Sequence, residues 1–282
     1  MRTIGRRRRA PALLGAALLA LSACQAPQRA AKTPPPIDPQ AHVPPFATVP
    51  YEPFSREDAI AIALREWRLF GQPVDDDPPG TRPPPLPQDK PERMPGLWER
   101  VGEYWWLGIN AGQPEDAWTG KHDENGNVFP ASQDADFAWS AAFISYVMRI
   151  AGAGLRFPYA IAHSTYIDIA RQMSLGQTRN WVVSAADPRT TAPEPGDLIC
   201  HGRNSGRDMT FADLPAPRFP SHCDIVVAAA PGSLSVIGGN VDDAVTMTHV
   251  PTTPDGLLIG PDGSVVDTRY PWFVVIKILY DR

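Results

Sequence analysis

Four residues in the second half of the chain have the types and the order that nucleophilic hydrolysis needs. Ser140 stands at the start of an apolar run, His222 opens a β-rich run, Asp224 follows two residues later, and Asn240 closes the next run. A serine hydroxyl attacks a carbonyl only if a base takes its proton during the attack. Histidine suits that role when a carboxylate on its other nitrogen holds the ring and stabilises its developing positive charge. Asn240 can orient a ring but cannot offset that charge, so a Ser140–His222–Asn240 site is expected to be slow. Asp224 or Asp242 would supply the charge. Residues two apart on a strand face the same side, which puts His222 and Asp224 on one face, and a buried carboxylate there needs a partner. Each residue also has a structural use. Ser140 could be a helix N-cap, His222 a hydrogen-bonded structural histidine, and Asp197 after Pro195-Gly196 a turn residue bonding backbone amides. Their joint order is what points to a site.

The elements that must position these groups can be read from periodicity. Residues 139–150 are interrupted only by Ser140, Ser145 and Arg149, and a helix apolar on nearly all sides belongs in a core. Gly152 and Gly154 stop it, and a further helix is expected over 164–173 with His163 near its start. Upstream, Ser55 can cap a helix carrying Ile60, Leu64 and Trp67, ended by Gly71 and Pro73. A second helix around 97–107 carries Trp98, Trp105 and Trp106. Downstream, residues 197–200, 223–229, 234–237, 245–249 and 273–280 are short β-rich runs between turn residues. Helices followed by an antiparallel sheet give an α+β class. Trp139, His163 and His201 are expected on the substrate side of the cleft, with a structural role for His163 equally open. Trp105, Trp106 and Trp118 form either a glycan-binding shelf or part of the core. Asp123, Asn125 and Asn127 alternate like the start of a calcium loop but lack its later ligands and glutamate, and read as a solvated turn.

Cys200-His201 and His222-Cys223 fall on strands expected to be antiparallel neighbours. Four ligand types so close raise zinc, but the pleat turns the members of each pair to opposite faces, so one face offers two ligands at most. If Cys200 opposes Cys223, a cross-strand disulfide is geometrically allowed, and an oxidising compartment would preserve it. Free buried thiols are the other reading. No resident metal and no cofactor are expected.

The N-terminus addresses the compartment. Five arginines (Arg2 and Arg6 to Arg9) precede an apolar stretch, Ala12 to Leu21, and then Ser22, Ala23 and Cys24. A basic region, a short apolar region and small residues before a cut describe a secretory signal. About ten apolar residues are too few for the ~20 of a spanning helix. Leu21-Ser22-Ala23-Cys24 resembles the bacterial lipobox, whose cysteine is lipidated. Gln25 after it implies the periplasmic face of the outer membrane, reached through a lipid anchor that does not span. Of the 33 prolines in 282 residues, eighteen fall between Pro27 and Pro95. Residues 25–50 cannot bury enough surface to fold and read as an extended spacer, whereas Pro78–Pro95 reads as an ordered loop between two helices. Removing residues 1–23 takes away five arginines and no acid, which moves the net charge from −5 to −10. A chain so acidic, with no basic cluster left, is a poor candidate for nucleic acid.

The segments around the candidate residues also carry a family likeness. Trp139-Ser140-Ala141-Ala142-Phe143, Pro195–Leu198, His222-Cys223-Asp224-Ile225-Val226 and Gly238–Asn240 resemble, in this order, motifs of the papain-like NlpC/P60 and CHAP cell-wall amidases and endopeptidases. Those motifs read Trp-Cys-Ala-x-Phe, Pro-Gly-Asp-Leu, His-Val-x-Ile-Val and Gly-Gly-Asn. The chain from about Phe54 also resembles the domain-of-unknown-function family 2272, whose members carry Trp-Ser-Ala-Ala-Phe-Ile-Ser. The likeness implies a papain-like helix packed on an antiparallel sheet, with serine in place of the family's cysteine. A thiol beside a histidine and a helix N-terminus becomes a thiolate; a serine there keeps its proton until attack. The expected organisation is a signal peptide (1–24) with lipobox Cys24, a spacer (25–50) and a papain-like domain (51–282), with a helical extension (51–110) and a core (111–282). The expected function is hydrolysis of an amide bond in peptidoglycan or a related envelope peptide, with Ser140 attacking, His222 as base and then acid, and Asn240 or Asp224 orienting it. A cleft that only binds cell-wall peptide or glycan, or a purely structural envelope lipoprotein, are the alternatives.

Overall fold

The computed structural model describes residues 52–109, 128, 130 and 137–281. The expected lipidation site Cys24, the spacer, Trp118 and the Asp123–Asn127 turn lie outside them. Among the described residues four helices precede six strands: α1 (Arg56–Leu69), α2 (Trp98–Gly108), α3 (Ser140–Ile150), α4 (His163–Ser174), then β1 (Val183–Ala186), β2 (Leu198–Gly202), β3 (Ser221–Ala230), β4 (Ser233–Val241), β5 (Ala244–Pro251) and β6 (Trp272–Ile278). The strands form one sheet in the order β1-β6-β2-β3-β4-β5, and every pair is antiparallel. No described helix is long and apolar enough to cross a membrane.

Each helix follows from its sequence. Ser55 caps α1 by accepting the Asp58 amide at 3.1 Å, with Glu57 and Asp58 in the first turn where the helix dipole favours acids. In α3 every residue from Ser140 to Met148 is buried, as an all-round apolar helix must be. α1, α2, α3 and α4 cover one face of the sheet, and Phe54, Ala63, Val101, Tyr104, Phe143, Val147, Ile167, Leu198, Ile225 and Ile276 share that core. The helical extension is therefore part of the same core as α3. Its polar tie is Glu66 of α1, fully buried, which accepts from Arg100 at 2.6 and 3.0 Å and from Tyr104 at 2.7 Å. The opposite face of the sheet holds a smaller cluster around Ile199, Val226, Val236, Leu258, Trp272 and Val275.

The strand pattern sets the positions that matter for chemistry. Cys200 faces Cys223 and His201 faces His222 across β2 and β3. Alternation turns Cys200 and Cys223 to the helix-covered face, and they are joined by a disulfide. The zinc and free-thiol readings give way to that bond. Asp197 opens β2 as a turn residue, its carboxylate accepting the Glu194 amide at 2.8 Å and Lys277 at 2.5 Å. The Pro78–Pro95 stretch is an ordered loop carrying two short 3₁₀ turns, Pro87–Asp89 and Pro91–Arg93. The Glu92 amide donates to the Asp243 carbonyl at 3.0 Å, so this loop is held against the β4–β5 turn.

Candidate functional site

The antiparallel order brings four strand ends to one end of the sheet: the ends of β2 and β4 and the beginnings of β3 and β6. The N-termini of α3 and α4 reach the same place, and a cleft of about 1680 Å³ opens there. Ser140, His163, His201, His222, Asp224 and Asn240 all line it.

Ser140 is the first helical residue of α3, and the N-cap is Trp139, with no side-chain cap bond. The N-cap role read for Ser140 is thus not the one it plays. Its hydroxyl is buried and meets His163 Nε2 at 2.7 Å. The other ring nitrogen, Nδ1, is in hydrogen-bond contact with the Tyr166 hydroxyl, one turn further along α4. Burial, reinforced by the nearby charges of His222, Arg203 and His201, pushes the His163 pKa well below its ordinary value, so the ring is neutral near pH 7. In the tautomer with its proton on Nδ1, His163 donates to Tyr166 and Nε2 accepts the Ser140 hydroxyl proton; the other tautomer reverses both bonds. Burial raises Tyr166 well above the ordinary phenol value, so it remains a neutral partner.

His222 forms a second pair. Its Nε2 lies 2.8 Å from Asp224 Oδ1, and both side chains are buried. The shared face expected from the pleat is what puts them in contact. A carboxylate only accepts, so the Nε2 proton belongs to this bond and Nδ1 is left as the open nitrogen. His222 Nδ1 is buried and has no hydrogen-bond partner among the described residues. The His222 ring centroid lies 5.2 Å from that of His163 and 5.5 Å from that of His201. Gly238 on β4 makes room for the pair: a Cβ there would fall 2.0 Å from Asp224 Oδ1 and 2.8 Å from His222 Nε2. At Gly239 a Cβ would meet Phe143 Cβ at 2.5 Å, so the second glycine lets α3 pack against β4.

The remaining candidates divide. His201 is packed between Tyr270 and Trp272, with ring centroids 4.8 and 4.9 Å away, and its Nδ1 donates to the Gly202 carbonyl at 3.0 Å. Burial, then the charge of His222, lowers its pKa to about 3. Asn240 lines the cleft in a left-handed backbone conformation, φ 58°. No hydrogen bond joins its side chain to His222 among the described residues, and the oxygen on that ring is Asp224's. Asp242 stands on the far wall, 3.9 Å from Arg82, rather than beside either histidine. Trp139 is a core residue, fully buried, its indole N–H donating to Glu92 Oε2 at 2.6 Å. That bond ties the proline-rich loop to the start of α3. Trp105 is also buried, so a glycan shelf built on it has no surface to offer.

Two features were missed by reading the sequence. Tyr166 stands three residues after His163, a spacing that makes neighbours on a helix, and that local signal was available. The Ser140–His163 contact joins two helices and had no local signal. Among the described residues no group of three or more His, Cys, Asp or Glu is arranged to hold a metal.

Neither a curated protein nor a solved structure is matched by the chain. A family match covers residues 92–278, which include Ser140, His163, His201, His222 and Asp224. With two thirds of its length so matched, the chain belongs to the family of uncharacterized proteins conserved in bacteria, DUF2272.

Proposed function

We propose that the protein is an envelope lipoprotein that hydrolyses an amide bond in peptidoglycan or a related envelope peptide, with Ser140 as nucleophile. The observation that carries this reading is the 2.7 Å contact between Ser140 Oγ and His163 Nε2 inside a cleft that also holds the His222–Asp224 pair. His163 takes the hydroxyl proton as Oγ bonds to the carbonyl carbon. Collapse of the tetrahedral adduct breaks the C–N bond, and the leaving amine takes a proton from an imidazolium. Water then cleaves the Ser140 ester. His222, held by Asp224 through Nε2, accepts a proton from that water at its unprotonated Nδ1 and returns it to Ser140 Oγ as the ester breaks, and the carboxylate offsets positive charge on that ring. A papain-like arrangement agrees with a nucleophile at a helix N-terminus and a histidine on the following sheet. The compartment is supported by the lipobox-like N-terminus and by the Cys200–Cys223 disulfide, which an oxidising envelope would keep.

The same contact supports a second reading. If the Tyr166 hydroxyl donates to His163 Nδ1, Nε2 carries the proton and donates to Ser140, which is then not activated. A cleft in that state binds wall peptide without cutting it. Incubating the soluble chain from residue 25 onward with purified peptidoglycan separates the two. Release of fragments that vanishes with Ser140→Ala supports hydrolysis, whereas retention on the polymer without release, unchanged by that substitution, supports the binding module.

A further inference from the structure

The cleft is electrically lopsided. On the side of the β4–β5 turn its wall carries Asp75, Asp77, Asp242 and Asp243, and those carboxylates are met by cations of the same wall. Arg82 lies 3.3 Å from Asp75 and 2.6 Å from Asp77, and Lys90 lies 3.1 Å from Asp243. On the other side the loop joining β2 to β3 contributes Arg203, Arg207 and Arg218 to the lining. All three are exposed, and none has an ion pair or a side-chain hydrogen bond among the described residues. The acids of that loop do not serve them. Asp213 is turned back to Thr210, accepting its amide at 2.8 Å and its hydroxyl at 2.7 Å, and Asp208 is not part of the lining.

The placement of this basic rim relative to the chemistry is fixed by the strands. Arg203 directly follows β2, two residues after His201, and its amide bonds the Pro220 carbonyl at 3.0 Å, which pins the loop's two ends together just before His222. Arg203 is near enough to His163 and His201 for its charge to disfavour their protonation. Three cations without a partner among the described residues, lining the cleft that also holds Ser140, in an otherwise acidic chain ask for an anion from outside. Guanidinium groups present forked donors that match a carboxylate.

We propose that Arg203, Arg207 and Arg218 form an anion subsite that binds a free carboxylate of the substrate next to the scissile amide. This rests on the reading of the cleft as a wall-peptide site and specifies its substrate class. The substrate is a peptide with an unblocked acidic group within a residue of the carbonyl that Ser140 attacks, and the amidated form of that peptide is discriminated against. The far wall, whose acids already have cations, contributes no such preference.

The test measures binding and so does not depend on turnover. The Ser140→Ala chain is titrated by calorimetry with a wall stem peptide carrying free carboxylates and with the same peptide amidated at each of them. A charge-assisted fork worth one order of magnitude gives about tenfold or more tighter binding of the acid form. The triple substitution Arg203→Gln, Arg207→Gln, Arg218→Gln brings the two affinities together. These side chains are exposed and unpaired, so the thermal midpoint stays unchanged. Equal affinity for both peptides, or a preference that survives the triple substitution, overturns the subsite and leaves the wall-peptide reading intact. Failure of the Ser140→Ala chain, with its three arginines in place, to bind either peptide overturns both. Absence of fragment release despite a carboxylate preference overturns only hydrolysis.

Discussion

Ser140 Oγ and His163 Nε2, 23 residues apart in sequence, are 2.7 Å apart in space. The histidine in contact with the serine is therefore the one on α4, while His222 on β3 is paired with Asp224. Positioned proton transfer contributes typically ~10²–10⁴-fold to rate. His163→Gln keeps a group able to hydrogen-bond Ser140 but removes the base, and kcat for fragment release is expected to fall by about 10²-fold or more. A thermal midpoint near that of the unsubstituted chain would assign the loss to chemistry. A variant retaining more than half the rate would remove His163 from the proton path.

How much of this was legible depends on the range of the interaction that fixes each feature. α3 could be read because its apolar residues leave no polar face, and the His222–Asp224 pair because a period of two decides which side chains share a face. The Cys200–Cys223 bridge was one of the readings that antiparallel β2 and β3 leave open, beside free thiols, and the register that pairs the two cysteines decides for it. β1 was not legible: Val183-Ser184-Ala185-Ala186 is short and alanine-rich, and only its pairing with β6 makes it a strand. Trp139 resembled a substrate-facing aromatic until its indole was seen to be held by Glu92, from a loop 47 residues away. The partner of Ser140 was hidden for the same reason, since the approach of α3 to α4 is decided by packing on the sheet and not by either helix alone.

The carboxylate of Asp224 should matter more than its shape. Asp224→Asn preserves an oxygen near His222 Nε2 but removes the charge that stabilises a protonated ring. An order-of-magnitude fall in kcat, about tenfold or more, is expected with KM little changed, measured on soluble wall fragments. A full-rate Asp224→Asn enzyme would show that the pair is structural.

Gly238→Ala tests the same pair by volume. Its added Cβ would lie 2.0 Å from Asp224 Oδ1, and neither strand nor carboxylate can yield without breaking the His222 contact. Overpacking in a tight site costs roughly 1–3 kcal/mol, so the urea midpoint should drop and fragment release should fall with it. An unchanged midpoint would mean the pair relocates at no cost.

Loss of the cross-strand bridge gives a prediction independent of catalysis. Cys200 and Cys223 are 23 residues apart, and closing a loop of that size restricts the unfolded chain by about 3 kcal/mol on the chain-entropy account. Cys200→Ala with Cys223→Ala should therefore lower the thermal midpoint by roughly 6–12 °C in a domain of this size. Reductant should shift the unsubstituted chain toward the same value and leave the double variant unmoved. A midpoint insensitive to reductant would argue that the thiols are not joined in solution.

Buried neutral histidines make stability fall toward acid pH, and the direction follows from proton counting. His201 in the folded chain has its pKa lowered to about 3 by burial and by the charge of His222, whereas an unfolded histidine titrates near 6.5. Below about pH 6.5 the unfolded chain binds a proton that the folded chain refuses, so stability is full above that pH and is lost progressively as pH falls toward the folded value. His163, also held well below its ordinary value, acts in the same direction. For His201 alone the loss between pH 6.5 and 4.5 amounts to about 2–3 kcal/mol, at 1.36 kcal/mol per pH unit. His201→Gln removes that proton uptake. Its urea midpoint should lie below that of the unsubstituted chain at pH 7.5, because packing against Tyr270 and Trp272 is disturbed, and should converge on it by pH 4.5. Parallel midpoints at the two pH values would show that His201 takes up its proton in the folded state and is not held neutral by its burial.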